Sequence, residues 1–170
     1  MVTKINGTTG VDKIQNNVIT PSHLPSGSVI QFKNYTLDTP AGGQMASSSS
    51  TAWQALPLSI TITPKLSTSK LYITAKINFD DQSTGVGGIL TAIYRDGVNL
   101  NSSGGYNSNT FIYNNPAADN YSHVITDAYT DSNSTSSTTF TLYFRNWNTA
   151  ALRIGSHAGQ STIQVMEIAE

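Results

Sequence analysis

Apolar and polar residues alternate with a period of two along much of the chain, and the run from Leu71 to Phe79 sets the pattern. Leu71, Ile73, Ala75, Ile77 and Phe79 fall on one face of an extended segment, with Tyr72, Thr74, Lys76 and Asn78 on the other. Just before it, Leu56, Leu58, Ile60 and Ile62 share a face, and the segment stops at Pro64, which cannot donate to a ladder. Further on, Phe140, Leu142 and Phe144 point one way while Thr141, Tyr143 and Arg145 point the other. SVIQFKNY, GILTAIYR, TFIYN, YSHVITDAYT, ALRIG and the closing STIQVMEIAE bring the predicted strands to about nine.

The segments between them carry turn chemistry. Arg95–Gly97 reads as a tight hairpin, because an Asp-Gly pair tolerates the positive φ such turns require. PKLSTSK, DDQSTGVGG, TDSNSTSS and SHAGQS read as loops, and NYTLDTPAGGQMASSSST as a longer one. Many short strands joined this way predict an all-β sandwich or barrel.

The last strand departs from simple alternation. Ile163 and Val165 lie on one face and Met166 and Ile168 on the other, so both faces call for burial. Such a strand belongs in the middle of a structure, with a second chain as one way to cover it, and all four residues are interface candidates. Glu167 is in phase with Val165; if buried, it needs a cation or a backbone donor.

Residues 1–26 read differently from the rest. Ile5, Val11, Ile14, Val18, Ile19 and Leu24 are isolated among polar and Gly residues, too sparse to build a core. Two readings compete, a disordered arm or an extended one that orders against copies of itself or a docking partner; the spacing favours the second, with Ile5, Val11, Ile14, Val18 and Ile19 as the docking residues. The domain proper is expected over 27–170.

Composition narrows the function. Charged residues make up 11% of the 170, the formal net charge is -1, and the nine Lys and Arg are scattered, so no basic stripe for nucleic acid exists. Cysteine is absent, which removes disulfides, thiolate metal sites and cysteine nucleophiles. MVTKINGTTG lacks the apolar core of a signal peptide, and no run approaches the ~18 apolar residues of a membrane span. Synthesis in a cytoplasm without membrane insertion is the expectation. Asn-x-Ser/Thr triplets at Asn6, Asn34 and Asn120 arise by chance in a chain this rich in those residues.

Catalytic constellations are hard to find. Asp80 and Asp81 share one loop, Asp127 and Asp131 flank another, and adjacent loop acids are usually solvated turn residues rather than a catalytic pair. EF-hand spacing is missing, and His23, His123 and His157 lack the short spacings of zinc sites. GVGG at Gly85–Gly88 has no following Lys and Ser/Thr for a phosphate loop. No cofactor and no metal are expected, and the chain reads as non-enzymatic. Recognition suits it better: Tyr106 and Tyr113 sit among Asn107, Asn109 and Asn114, and Trp147 between Asn146 and Asn148, a mixture of rigid aromatic area and adaptable amides.

GSVIQ at Gly27–Gln31, LPLSITITPKLSTSKLYI at Leu56–Ile73, YRDGV at Tyr94–Val98 and the closing STIQVMEIAE together resemble the C-terminal head domains of bacteriophage tail fibres and related virion appendages. GVDKIQNNVITPSHLPSGSVIQ is similar to the lead-in such heads carry. The resemblance implies a jelly-roll β-sandwich head of the complement-C1q and tumour-necrosis-factor kind, a parallel homotrimer behind a short extended N-terminal arm. It implies a virion location, on tail or capsid surface, with the arm on other virion proteins and the head on a host cell-surface saccharide or protein. The last strand would then lie near the threefold axis. Only about 26 residues precede the head, which suits the alternative of a capsid-decorating protein or head fibre. A glycan-cleaving tailspike enzyme is a third possibility, requiring paired acids in a cleft.

Counting strands as strictly alternating puts Tyr35–Thr51, Asp80–Gly87, Ser102–Asn109, Thr130–Ser137 and Ser156–Ser161 at the end far from the arm. Lys65–Ser69, Arg95–Gly97, Asn114–Asn120 and Asn146–Ala150 then fall near it. On that count Asp80, Asp81, Tyr106, Asn107, Asn133 and His157 are the receptor-contact candidates of a distal tip.

Overall fold

A computed structural model describes residues 20–39, 43–81, 87–102, 106–114, 120–148, 151–155 and 159–170. The strands are β1 (Val29–Asp38), β2 (Ala46–Ser48), β3 (Gln54–Ile62), β4 (Lys70–Asp81), β5 (Gly87–Arg95), β6 (Val98–Asn99), β7 (Thr110–Asn114), β8 (Asn120–Asp131), β9 (Thr138–Asn146), β10 (Leu152–Ile154) and β11 (Gln160–Ile168). The first sheet runs β1–β11–β4–β8, with β10 beside the upper end of β4 and β2 beyond it. The second runs β3–β9–β5, with β6 and β7 both on the far side of β5. Taken in chain order, the long strands interleave between two antiparallel sheets in the manner of a jelly roll.

Alternation explains the core. Leu56, Leu58, Ile60 and Ile62 from β3, the odd-numbered positions Leu71 to Phe79 from β4, and Phe140, Leu142 and Phe144 from β9 are all buried between the sheets. Each such side chain contributes roughly 1.5–3 kcal/mol on burial. β5 is buried on both faces: Ile89 and Ile93 join the core, while Leu90 and Ala92 are covered on the outside of the sheet. Across the interior, the buried hydroxyls of Thr91 and Thr126 meet at 2.6 Å. Thr91→Val alone strands the Thr126 hydroxyl and should cost about 1–3 kcal/mol, whereas Thr91→Val with Thr126→Val should recover most of that loss. Urea midpoints of the native protein and the two variants check this; a double variant at least as costly as Thr91→Val alone would refute it.

Two strands escaped the sequence pattern. β2 lies within the long loop expected after Tyr35, and β6 has only two residues after the hairpin whose Asp96 and Gly97 have φ of 49° and 84°. β6 and β7 also correct the alternation. Both are antiparallel to β5, so β6 and β7 run in the same direction. β10 and β11 are likewise both antiparallel to β4. The two non-reversals cancel by the end of the chain, and Gly27 N–H donates to Ala169 O at 2.8 Å while Ala169 N–H donates to Ser28 O at 2.8 Å. Between them, the loop after β8 moves to the end that holds Gly27 and Ala169, and the last residues of β7 and β9 stand at the opposite end.

Candidate functional site

The outer face of the first sheet carries a row of large side chains across four strands. Phe32 is paired with Met166, Met166 with Tyr72, and Tyr72 with Tyr129. Cross-strand partners project from the same side of a sheet, so these four form one stripe. The next row towards the chain ends pairs Val29 with Ile168 and Ile168 with Lys70, which bonds the Asp131 carboxylate and lies 3.0 Å from Glu170. Phe32 and Tyr129 are 52% and 60% exposed, and Val29 and Ile125 are exposed on the same face. Ile163 and Val165 have no such role: both are wholly buried in the chain's own core, where Val165 pairs with Ile73. Period two separates them from Met166 and Ile168, so of the four interface candidates only the latter two face outward.

Glu167 holds this end of the sandwich together. It is fully buried, and its carboxylate accepts from Lys65 N–H at 2.8 Å, Leu66 N–H at 3.0 Å, Ser69 Oγ at 2.7 Å and Gln31 Nε2 at 2.5 Å. These donors tie the β3–β4 turn and β1 to β11. Burial pushes the carboxyl up, but the hydrogen bonds from Lys65, Ser69, Leu66 and Gln31 outweigh it and hold the group below its ordinary value. Gln31 Nε2 also donates to Thr63 O at 2.8 Å and Lys33 Nζ to Thr61 O at 2.9 Å, so β1 side chains cover part of the free edge of β3.

The outer face of the second sheet is aromatic. Tyr94 stacks on Tyr143 at 3.8 Å between ring centroids, Trp53 meets Tyr94 edge-on at 6.1 Å, and the Arg145 guanidinium lies 5.1 Å from the Trp53 ring. A second group follows: Phe111 lies 4.9 Å from Trp147, Tyr106 lies 5.4 Å from Phe111 and 5.2 Å from Trp147, and Tyr113 lies 6.2 Å from Phe111. Trp147 and Tyr113 sit against Gly88, where an added Cβ would come within 2.6 Å of Ile112 O. The Tyr106 loop is tied to the sheet: Arg145 Nη2 donates to Tyr106 O at 3.0 Å, Asn99 Nδ2 to Asn107 O at 2.7 Å, and Asn109 N–H to Thr91 O at 2.9 Å.

The expected distal tip is not assembled as counted. Asp80 is buried at the end of β4 opposite Arg153, with 3.8 Å between Arg153 Nη1 and its carboxylate, and so cannot meet a host. Asp81 ends β4 opposite Leu152. Tyr106 and Asn107 are exposed together, with Tyr106 against Trp147, the residue that follows the last of β9. Asn133, exposed at φ 56°, stands at the end that holds the chain ends, because the extra non-reversal turns β8 over. His157 and the arm residues Ile5, Val11, Ile14, Val18 and Ile19 lie outside the described residues.

Trp53, Tyr94, Phe111, Tyr143 and Arg145 were not among the expected contact residues. The signal was present in phase: Tyr143, Arg145 and Trp147 fall two apart on the reverse of the β9 pattern. Among the described residues no group of three or more His, Cys, Asp and Glu could hold a metal ion. Nor is any helix there long and apolar enough to cross a membrane.

No family model matches the chain, and no curated protein matches it by sequence. Solved structures do match its shape. The infectious bursal disease virus VP2 subviral particle is 16% identical with a TM-score of 0.43, over 84% of this chain and 38% of that one. The infectious bursal disease virus Gt strain is 14% identical with a TM-score of 0.42, again over 84% and 38%. Dimeric latent PorU from Porphyromonas gingivalis is 8% identical with a TM-score of 0.41, over 85% of this chain and 14% of that one. The chain thus spans well under half the length of each, and similarity at this level carries no argument about what it does.

Proposed function

We propose that the chain is a non-enzymatic structural protein of a bacteriophage particle. It forms a parallel homotrimer whose head meets the bacterial surface and whose residues 1–26 dock on other virion proteins. The observation that carries this reading is the Phe32–Met166–Tyr72–Tyr129 row beside the chain ends. A row of aromatic and apolar side chains across all four strands of a sheet is the material of subunit contacts. Packing that face about a threefold axis gathers three copies of Gly27 at one end, as a shared docking stem requires. The sequence resemblance to tail-fibre heads supports the same arrangement. Three weak sites on one head would raise apparent affinity for a repetitive cell surface through avidity.

Imaging intact particles with an antibody against the chain tests this reading. Label on tail appendages is the expected result, label on the capsid shell would select the decorating alternative, and particles that lack the chain would end the reading.

A further inference from the structure

We propose that the cluster of Tyr106, Phe111, Tyr113 and Trp147 on the outer face of the second sheet is a binding platform for an uncharged saccharide. The head would then grip its receptor with its flank. The inference rests on the appendage reading for the biological source of the sugar, while its chemistry stands on the cluster alone.

The two outer faces of the sandwich differ in kind. The first sheet exposes Val29, Phe32 and Ile125 as well as Tyr129, a mixture suited to dry packing against protein. In the cluster, the two exposed large side chains are both phenols, Tyr106 at 47% and Tyr113 at 56%. Each offers a flat apolar ring and a hydroxyl that hydrogen-bonds in water. A pyranose presents the complement, a C–H face bordered by hydroxyls. Phe111 and Trp147 support the exposed rings from beneath, and Asn107 stands at the rim.

Charge selects among saccharides. Arg145 is the one full charge among the described residues of this face, and it is already engaged by the Trp53 ring and the Tyr106 carbonyl. None of the four rings of the cluster carries a charge, and the guanidinium is turned to the Trp53 ring and the Tyr106 backbone, so the platform itself is matched to a neutral hexose polymer. The platform is also built before any ligand arrives. Asn99 and Asn109 fix the Tyr106 loop, and the bare Gly88 backbone makes room for the Ile112 carbonyl of β7, between Phe111 and Tyr113. Little ordering remains to be done on binding, which is how rigid aromatic surfaces keep affinity for flexible polymers.

Native affinity electrophoresis of the full chain in gels cast with dextran, mannan or polygalacturonate is the test, run on protein whose mass has been measured first. At least one neutral polymer should retard the protein. Tyr106→Ala and Tyr113→Ala should each weaken that retardation at least tenfold, while Tyr106→Phe keeps most of it and Thr135→Ala, in the loop near the chain ends, keeps all of it. No retardation by either neutral polymer, retardation by polygalacturonate alone, or retardation unchanged in both alanine variants would overturn the platform. A trimer that fails to bind loses the platform only; a single chain that still binds loses the assembly only.

Discussion

Replacing Glu167 with alanine should lower the free energy of unfolding by about 3–5 kcal/mol, a large part of what a domain of this size possesses. The carboxylate is fully buried, yet it accepts from two backbone N–H groups, a serine hydroxyl and a glutamine amide. Removing it leaves these donors facing one another in the space it vacates, and each unpaired buried group costs about 1–3 kcal/mol. Glu167→Gln keeps the shape but turns an N–H₂ towards donors, and should cost about 2 kcal/mol. The pH dependence has a definite sign. The folded chain holds this carboxyl below its ordinary value of 4.5, so the unfolded chain binds the proton more tightly. The stabilisation is therefore full above that unfolded value and lost as pH falls through the lower, folded one. Urea midpoints should separate the native protein from Glu167→Gln widely at pH 7 and bring them together in strong acid. A gap that persists at low pH would mean the charge is not what matters.

The second large effect concerns assembly. Met166 sits at the middle of the outward row, between Phe32 and Tyr72. In the proposed trimer Met166→Lys buries one unpaired cation per copy, each costing several kcal/mol, and every 1.4 kcal/mol is tenfold in affinity. The variant should behave as single chains that keep their β-rich circular dichroism and unfolding midpoint, because Met166 is not part of the intrachain core. A variant that stays assembled would move the contact to another face.

Why some of this was legible beforehand and some was not comes down to where each strand sits. β3, β4 and β9 lie against the opposite sheet, so strict alternation was forced on them and their inward residues could be read directly. β1 is an edge strand held by its ladder with β11 and by Gln31 and Lys33 reaching over to β3, and its exposure follows no period. β2 and β6, three and two residues long, leave too few positions to show one.

The miscounted ends have the same root. Direction is set by ladder partners, and β6 and β7 share both a partner, β5, and a direction. Glu167 was readable because its phase placed a carboxylate in line with Val165, which demanded donors in advance of knowing which. The aromatic flank was partly visible, in Tyr106, Tyr113 and Trp147. Its assembly with Phe111 and Trp147 depends on pairings between β5, β7 and β9 that no local pattern encodes.

Sedimentation equilibrium of the full chain at micromolar concentration bears most directly on the assembly that underlies the proposed role. A trimer gives three times the 18.2 kDa of one chain, holding on dilution, and that is the expected mass. A particle of 18.2 kDa, with the Phe32–Met166–Tyr72–Tyr129 row left in water, would contradict it.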